Sequence, residues 1–152
     1  LTVAPSFKID VRRLDEFSAQ DLYRLLKLGC DVFVVEQHCA YPELDGKDID
    51  TLHLRLLEGS EPIACARFWC EDGVVHIGRV AVSPAHRGKG LGEAVMRAAI
   101  TACEARFPGA PIDISAQSHL QRFYGTFGFV PVSDIYDEDG IAHIDMRRAH
   151  GA

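Results

Sequence analysis

Apolar residues recur along this chain with two periods, two residues in some stretches and three to four in others. Phe7, Ile9 and Val11 alternate with Lys8 and Asp10, which predicts a half-buried strand over 7–11. Leu22, Leu25 and Leu26 share a helical face behind Ser18, a good capping residue, so a helix is expected from about Ala19 to Leu28. The run Val32-Phe33-Val34-Val35, inside 30–36, fits a helix by position and a strand by propensity. A polar, acidic loop is expected over 41–50. Three strands follow over 52–57, 62–70 and 74–82. Glu58-Gly59-Ser60 and Glu71-Asp72-Gly73 separate them as turns, so the three read as an antiparallel meander.

The helical period returns from Gly90 to about Arg106, where Leu91, Ala94, Val95, Ala98 and Ala102 share a face. Phe107-Pro108-Gly109 ends it. A short buried strand is expected over 111–116, and a helix over 119–127 that stops at Gly128. Segments 130–136 and 141–147 should close the chain as a hairpin around Asp137-Glu138-Asp139-Gly140. Antiparallel strands followed by β–α–β units make a mixed α/β layer, and the length suits one domain over 1–152.

Composition narrows the class. Hydrophobic content of 47% and charged content of 25% are ordinary for a water-soluble globular chain. No apolar run approaches the ~20 residues of a membrane span, and the opening residues show no secretory pattern. A net charge of −6 argues against general nucleic-acid binding. Cys30, Cys39, Cys65, Cys70 and Cys103 are odd in number and lack a Cys-x-x-Cys pair, which fits reduced thiols in the cytoplasm. Asp45-x-x-Asp48-x-Asp50 fails the calcium-loop pattern, and no metal is expected.

The chemistry concentrates in Val80-Ala81-Val82-Ser83-Pro84-Ala85-His86-Arg87-Gly88-Lys89-Gly90-Leu91-Gly92. A β-branched run ends at Ser-Pro, a basic glycine-rich loop follows, and a helix opens from it. Glycines let main-chain N–H groups turn inward, and the helix N-terminus behind them carries about half a positive charge. Together they form a phosphate cradle, with Arg87 and Lys89 at its rim. The loop is not a P-loop, because Gly90 follows Gly88-Lys89 where Ser or Thr is required. Nor is it a dinucleotide fingerprint, because Glu93 or Val95 falls where the third glycine belongs.

Arg87-x-x-Gly90-x-Gly92 directly after a strand resembles the coenzyme A pyrophosphate loop of the GCN5-related N-acetyltransferase (GNAT) superfamily. The element order agrees with that family's fold, a mixed, mostly antiparallel central sheet flanked by helices. The resemblance implies acetyl-CoA as co-substrate, held by the backbones of Val80, Ala81 and Val82 and by the loop Arg87, Gly88, Lys89, Gly90, Leu91 and Gly92. Leu120-Gln121-Arg122-Phe123-Tyr124-Gly125-Thr126-Phe127-Gly128-Phe129 looks like the family's late helix. There the residue at the place of Tyr124 often protonates the departing sulfur. By periodicity alone Leu120, Phe123, Tyr124 and Phe127 form a core stripe, and the resemblance turns Tyr124 toward the coenzyme. Val32–Gln37, Asp45–Asp50, Ser115–Gln117 and Tyr136–His143 together resemble the ElaA-like branch.

Acetyl transfer to an amine sets its own demands. A lysine-like amine at pH 7 is neutral in about one molecule in a few thousand, a penalty of ~4–5 kcal/mol, so a base must take its proton. His76 is the first candidate, because an imidazole titrates near neutrality. An ordinary exposed strand histidine is the competing reading, and some family members carry a glutamate there. Glu36 and His143 are the other candidates, on the acceptor side. Carboxylates at 36, 43, 45, 48 and 50 favour a cationic acceptor, a small molecule or a peptide amine, or else form a solvated acidic loop. The alternative to an enzyme is a non-catalytic acyl-CoA-binding or sensing domain. Covalent catalysis by a cysteine ranks last, since none sits beside a helix N-terminus with a histidine. The closing hairpin is the candidate surface for a homodimer.

Overall fold

The computed structural model describes residues 6–152; residues 1–5, the start of the stretch read for a targeting signal and of the expected domain, lie outside the described residues. Strand β1 (Lys8–Arg13) pairs antiparallel with β2 (Leu52–Glu58), which pairs with β3 (Glu61–Glu71), which pairs with β4 (Val74–Val82). Strand β5 (Ile112–Gln117) runs parallel to β4 and antiparallel to β8 (Ile141–Arg148). The expected meander and mixed sheet are both present.

Helix α1 (Ala19–Gly29) starts where Ser18 Oγ accepts the Asp21 N–H at 3.1 Å. The ambiguous segment Cys30–Glu36 continues it as a wider π-helical turn. Position overrides β-propensity there because Val32 must be buried, with Leu25 and Leu28, against Cys65 and Ala81 of the sheet. Helix α2 (Leu91–Arg106) covers the opposite face, since its partners Ala64 and Ala66 alternate with Cys65 along β3. Its buried stripe is Leu91, Val95, Met96, Ala99, Ile100 and Cys103, with Ala94, Ala98 and Ala102 at the margin of the face expected from sequence.

Two expectations are corrected. The 119–127 helix is a 3-10 turn over Ser118–Leu120 followed by a short α3 (Gln121–Gly125). The closing hairpin is not two long strands. Val130–Pro131 (β6) and Tyr136–Glu138 (β7) each pair separately with β8. Pro131 has no N–H for the ladder, and the Ser133 hydroxyl accepts the Asp145 N–H at 2.9 Å in place of a backbone carbonyl.

Candidate active site

Strands β4 and β5 part company inside the sheet. Their pairing runs Val75–Ile112, His76–Asp113, Ile77–Ile114 and stops, so Gly78–Val82 has no partner on the β5 side. On the β3 side, Cys65 pairs with Ala81 and Arg67 with Gly78, which leaves Arg79 and Val80 facing Ala66 alone. That is a β-bulge, and it holds Arg79 at φ +50°, a left-handed conformation that is strained for arginine. The bulge twists β4 locally and the fork leaves its β5-side edge open from Gly78 onward, while Ala81 and Val82 stay paired with β3. The backbones of Val80, Ala81 and Val82 therefore border an opening.

That strand end leads through a turn at Pro84–His86 into the glycine loop. Gly88 and Gly90 sit at φ +77° and +76°, and Gly90 is the residue that caps α2. No atom lies within 4 Å of where a Cβ would stand on either, so backbone conformation alone selects glycine at these two positions. The helix therefore begins at Leu91. Arg87 donates to both oxygens of Glu36, at 2.6 and 2.6 Å, and to the Val82 carbonyl at 3.2 Å. These hydrogen bonds, with the guanidinium charge behind them, hold the Glu36 carboxyl below the usual range. Lys89 makes no ion pair among the described residues. Free backbone amides at a long helix start, two cations and an unpaired strand edge fit a pyrophosphate-bearing ligand.

Beside the fork lies a cleft of about 620 Å3. Alternation along β5 explains its polarity: Ile112, Ile114 and Ala116 pack under α2, while Asp113, Ser115 and Gln117 point the other way. The same alternation on β8 sets Arg147, Asp145 and His143 opposite them in register. The strand expected to be simply buried is thus buried on one face only.

His76 lines this cleft, stacked on Trp69 with ring centroids 5.4 Å apart, and its nitrogens make no hydrogen bond among the described residues. Tyr124 reaches the cleft from α3, edge-on to Phe123 and Phe129. Burial raises its pKa, and its hydroxyl is likewise without a described partner. His143 also lines the cleft, but its ring is engaged at both nitrogens: Nδ1 donates to the Ile141 carbonyl at 2.8 Å, and Nε2 lies 3.3 Å from Glu138 Oε2. Glu36 does not line the cleft, because it is turned to Arg87.

The acidic segment 41–50 borders the cleft through Tyr41, Pro42, Asp45 and Lys47 and ties several of its acids to the sheet. Arg67, only 4% exposed, is bound by Asp45 at 2.6 Å and Asp48 at 2.9 Å. Arg79 contacts Glu43 at 3.1 Å and Asp45 at 3.4 Å, with its guanidinium over the Tyr41 ring. Glu43 in turn accepts from Tyr41. The two arginines pair Glu43, Asp45 and Asp48 within the chain, which leaves these three less free to draw a cation, while most of the segment is exposed, as a solvated loop would be. Arg67, held by Asp45, lowers the Asp45 carboxyl to about 2. The signal missed in the sequence was a pair of arginines, at 67 and 79, placed on neighbouring strands to meet those acids.

The five cysteines are unpaired, and burial pushes the Cys65 and Cys103 thiols up to about 12, which makes them poor nucleophiles. No helix among the described residues is long and apolar enough to cross a membrane.

Comparison with known proteins matches residues 15–149 to the Acetyltransferase (GNAT) domain family. The chain is 45% identical over 138 residues to the protein ElaA of Escherichia coli (strain K12), an alignment covering 88% of this chain and 90% of that one. An acyl-CoA N-acyltransferase from Pseudomonas aeruginosa superposes with a TM-score of 0.91 at 43% identity, over 95% of this chain and 100% of that structure. The crystal structure of Escherichia coli ElaA superposes with a TM-score of 0.88 at 41% identity, over 94% and 99%.

Proposed function

The chain belongs to the GNAT acetyltransferase family, close to the ElaA-like proteins, and is an acyl-CoA-dependent acetyltransferase; from that premise we propose that it moves an acetyl group from acetyl-CoA to a primary amine by direct attack in a ternary complex. One observation carries the reading. The β4–β5 fork opens between the glycine loop at the start of α2 and a cleft lined by Tyr124 and His76.

The roles follow from position, with the whole chain acting as one domain. Arg87, Gly88, Lys89, Gly90, Leu91 and Gly92 hold the pyrophosphate by charge and by amides aimed from the helix start. Val80, Ala81 and Val82 offer strand backbone to the rest of the ligand, and a bound acetyl-CoA supplies the acetyl group as a thioester. His76 takes the first proton from the acceptor's ammonium, its free nitrogens favouring it over His143. Tyr124 stays protonated through neutral pH and gives its proton to the leaving sulfur. Glu138 and Asp139, on the cleft wall, rather than the acids of 43–50, draw a positively charged amine of a small molecule or peptide. A non-catalytic sensor would have no use for Tyr124 and His76 at the fork.

Unpaired thiols support a cytoplasmic location. Exposed Val130, Val132 and Ile135 at the β6 edge are the candidate homodimer surface, which sedimentation velocity tests.

The reading is tested by calorimetric titration with acetyl-CoA and with 3′-phospho-ADP, followed by assay of primary amines for acetylation. Binding of acetyl-CoA with part of the affinity retained by the fragment is expected. No binding of either at low salt overturns it.

A further inference from the structure

We propose that Ser115, Tyr136 and Asp145 form a hydroxyl relay that receives the proton released by the attacking amine as the new C–N bond forms, a role that rests on the acetyl transfer proposed above. Ser115 is the first residue of β5 beyond Ile114, where pairing with β4 ends. Its side chain is exposed in the cleft, at the fork itself. Ser115 Oγ lies 2.5 Å from Tyr136 Oη, and Tyr136 Oη lies 2.6 Å from Asp145 Oδ1. Three strands build the chain. Ser115 and Asp145 are register partners across β5 and β8, and Tyr136 comes from β7.

The direction of each bond is fixed by counting protons. An ionised Asp145 can only accept, so the single phenolic proton of Tyr136 goes to it. Tyr136 Oη is then an acceptor for Ser115, whose own proton points away from the cleft. What Ser115 presents to the fork is therefore a bare lone pair, poised to accept an N–H. Burial and the Asp145 hydrogen bond raise the Tyr136 pKa, so the phenol stays neutral and the polarity of the chain holds. The neighbouring charged groups are compensated. Arg147 binds Asp113 at 2.7 Å on one side. On the other, His143 contacts Glu138 and stacks on Tyr136 at 6.2 Å. Asp145 is anchored by its own backbone, its N–H on Ser133 Oγ and its carbonyl on the Val132 N–H.

An ammonium acceptor must lose two protons to become an amide nitrogen, and His76 accounts for only the first, before attack. The second becomes acidic as nitrogen bonds the acetyl carbon. It passes to Ser115 Oγ while the serine proton moves to Tyr136 Oη and the tyrosine proton to Asp145 Oδ1. The C–S bond breaks, and sulfur takes its proton from Tyr124. Both relay hydroxyls end neutral but with their protons pointing the other way; Asp145 and His76 end protonated and Tyr124 ends as the phenolate. Loss of the Asp145 and His76 protons to water, uptake of one proton by Tyr124 and rotation of the two hydroxyls restore the starting state, for a net release of one proton per amide formed from an ammonium.

The test compares wild type with Ser115→Ala, Ser115→Thr, Tyr136→Phe and the S115A/Y136F double variant. Acetyl-CoA binding is measured by calorimetry, and single-turnover acetyl transfer is followed to two probes, benzylamine and a peptide with a free N-terminus. Unchanged acetyl-CoA affinity is expected, with transfer slowed roughly 10²-fold in Ser115→Ala and in Tyr136→Phe. The double variant should be no slower than either single, as for groups acting as a unit, and Ser115→Thr should restore most of the rate. If Tyr136→Phe fails to fold, the alanine and threonine variants at 115 still decide. The relay is overturned by a wild-type rate in Ser115→Ala, by losses that multiply in the double variant, or by a wild type that binds acetyl-CoA and acetylates neither probe. A wild type that does not bind acetyl-CoA overturns the acetyl-transfer reading itself, and the relay with it.

Discussion

Glu36, at the end of the π-helical turn, closes on Arg87 of the glycine loop through two parallel hydrogen bonds of 2.6 Å each. Both side chains are partly exposed, so the pair is screened by salt and holds Arg87 without locking it. In the binding mode proposed for the loop, a pyrophosphate competes with this carboxylate for the same guanidinium fork. Glu36→Gln should therefore tighten 3′-phospho-ADP binding a few-fold at low ionic strength, and the gain should fade as salt rises. Arg87→Ala should weaken acetyl-CoA binding, most visibly at low salt. Calorimetry at two salt concentrations checks both. An Arg87→Ala variant with wild-type affinity would remove the loop from the binding site.

Gly90 and Gly92 stand two residues apart and should respond oppositely to alanine. Gly90 caps α2 at φ +76°, where a Cβ costs about 1–2 kcal/mol from backbone strain alone. Gly92 lies inside the helix, and an added Cβ would meet only Phe123 at an ordinary 3.8 Å. Gly90→Ala should lower Tm, while Gly92→Ala should hold or raise it, by up to about 1 kcal/mol in stability. Thermal denaturation followed by circular dichroism separates them.

The conformation of the loop was legible in the sequence because it is local: the φ values of Gly88 and Gly90 and the start of α2 need nothing distant. The succession of elements from β1 to β5 was legible for the same reason, whereas the separate pairing of β6 and β7 with β8 was not. What was hidden depends on contacts far along the chain. Arg67 and Arg79 fall inside the strands expected over 62–70 and 74–82, and only the folded sheet brings them to Asp45 and Asp48. Glu36 read as an acceptor-side group, and Arg87 lies 51 residues away. The polar face of β5 was legible in principle, since Asp113, Ser115 and Gln117 alternate with Ile112, Ile114 and Ala116. Nothing local shows that β8 and β7 complete it.

The Arg67 network gives the fold a built-in acid limit. Asp45 titrates near 2 folded, against an ordinary value of 3.8. Its depressed pKa contributes stability that is fully present above about pH 4 and is lost as pH falls through 2. The contribution is about 2 kcal/mol, given that the carboxylate keeps some contact with water. Asp45→Asn should lose that amount at pH 7 and show a flatter decline in stability between pH 4 and pH 2. Arg67→Ala should be worse, by roughly 3–5 kcal/mol, because it strands two half-buried carboxylates. Urea titrations at pH 7, 4 and 2.5 measure each term, and parallel pH profiles for wild type and Asp45→Asn would dismiss the account.

The role proposed for Tyr124 separates binding from chemistry. Its ring packs against Phe123 and Phe129 whether or not it carries a hydroxyl, so Tyr124→Phe should fold and bind acetyl-CoA as wild type does. Only the proton donor proposed for the leaving sulfur is lost. A thiolate with a conjugate acid near pKa ~8.5 is already a fair leaving group, so the rate should fall by about 10²-fold, the low end for a general acid. Burial raises the tyrosine pKa, which keeps the acid form loaded up to and beyond its ordinary value of 10.0. The wild-type rate should therefore show no decline from Tyr124 ionisation below pH 10. The measurement is kcat against pH for both proteins at saturating acetyl-CoA. A full rate in Tyr124→Phe would assign the residue to packing alone and leave the sulfur to depart as the thiolate.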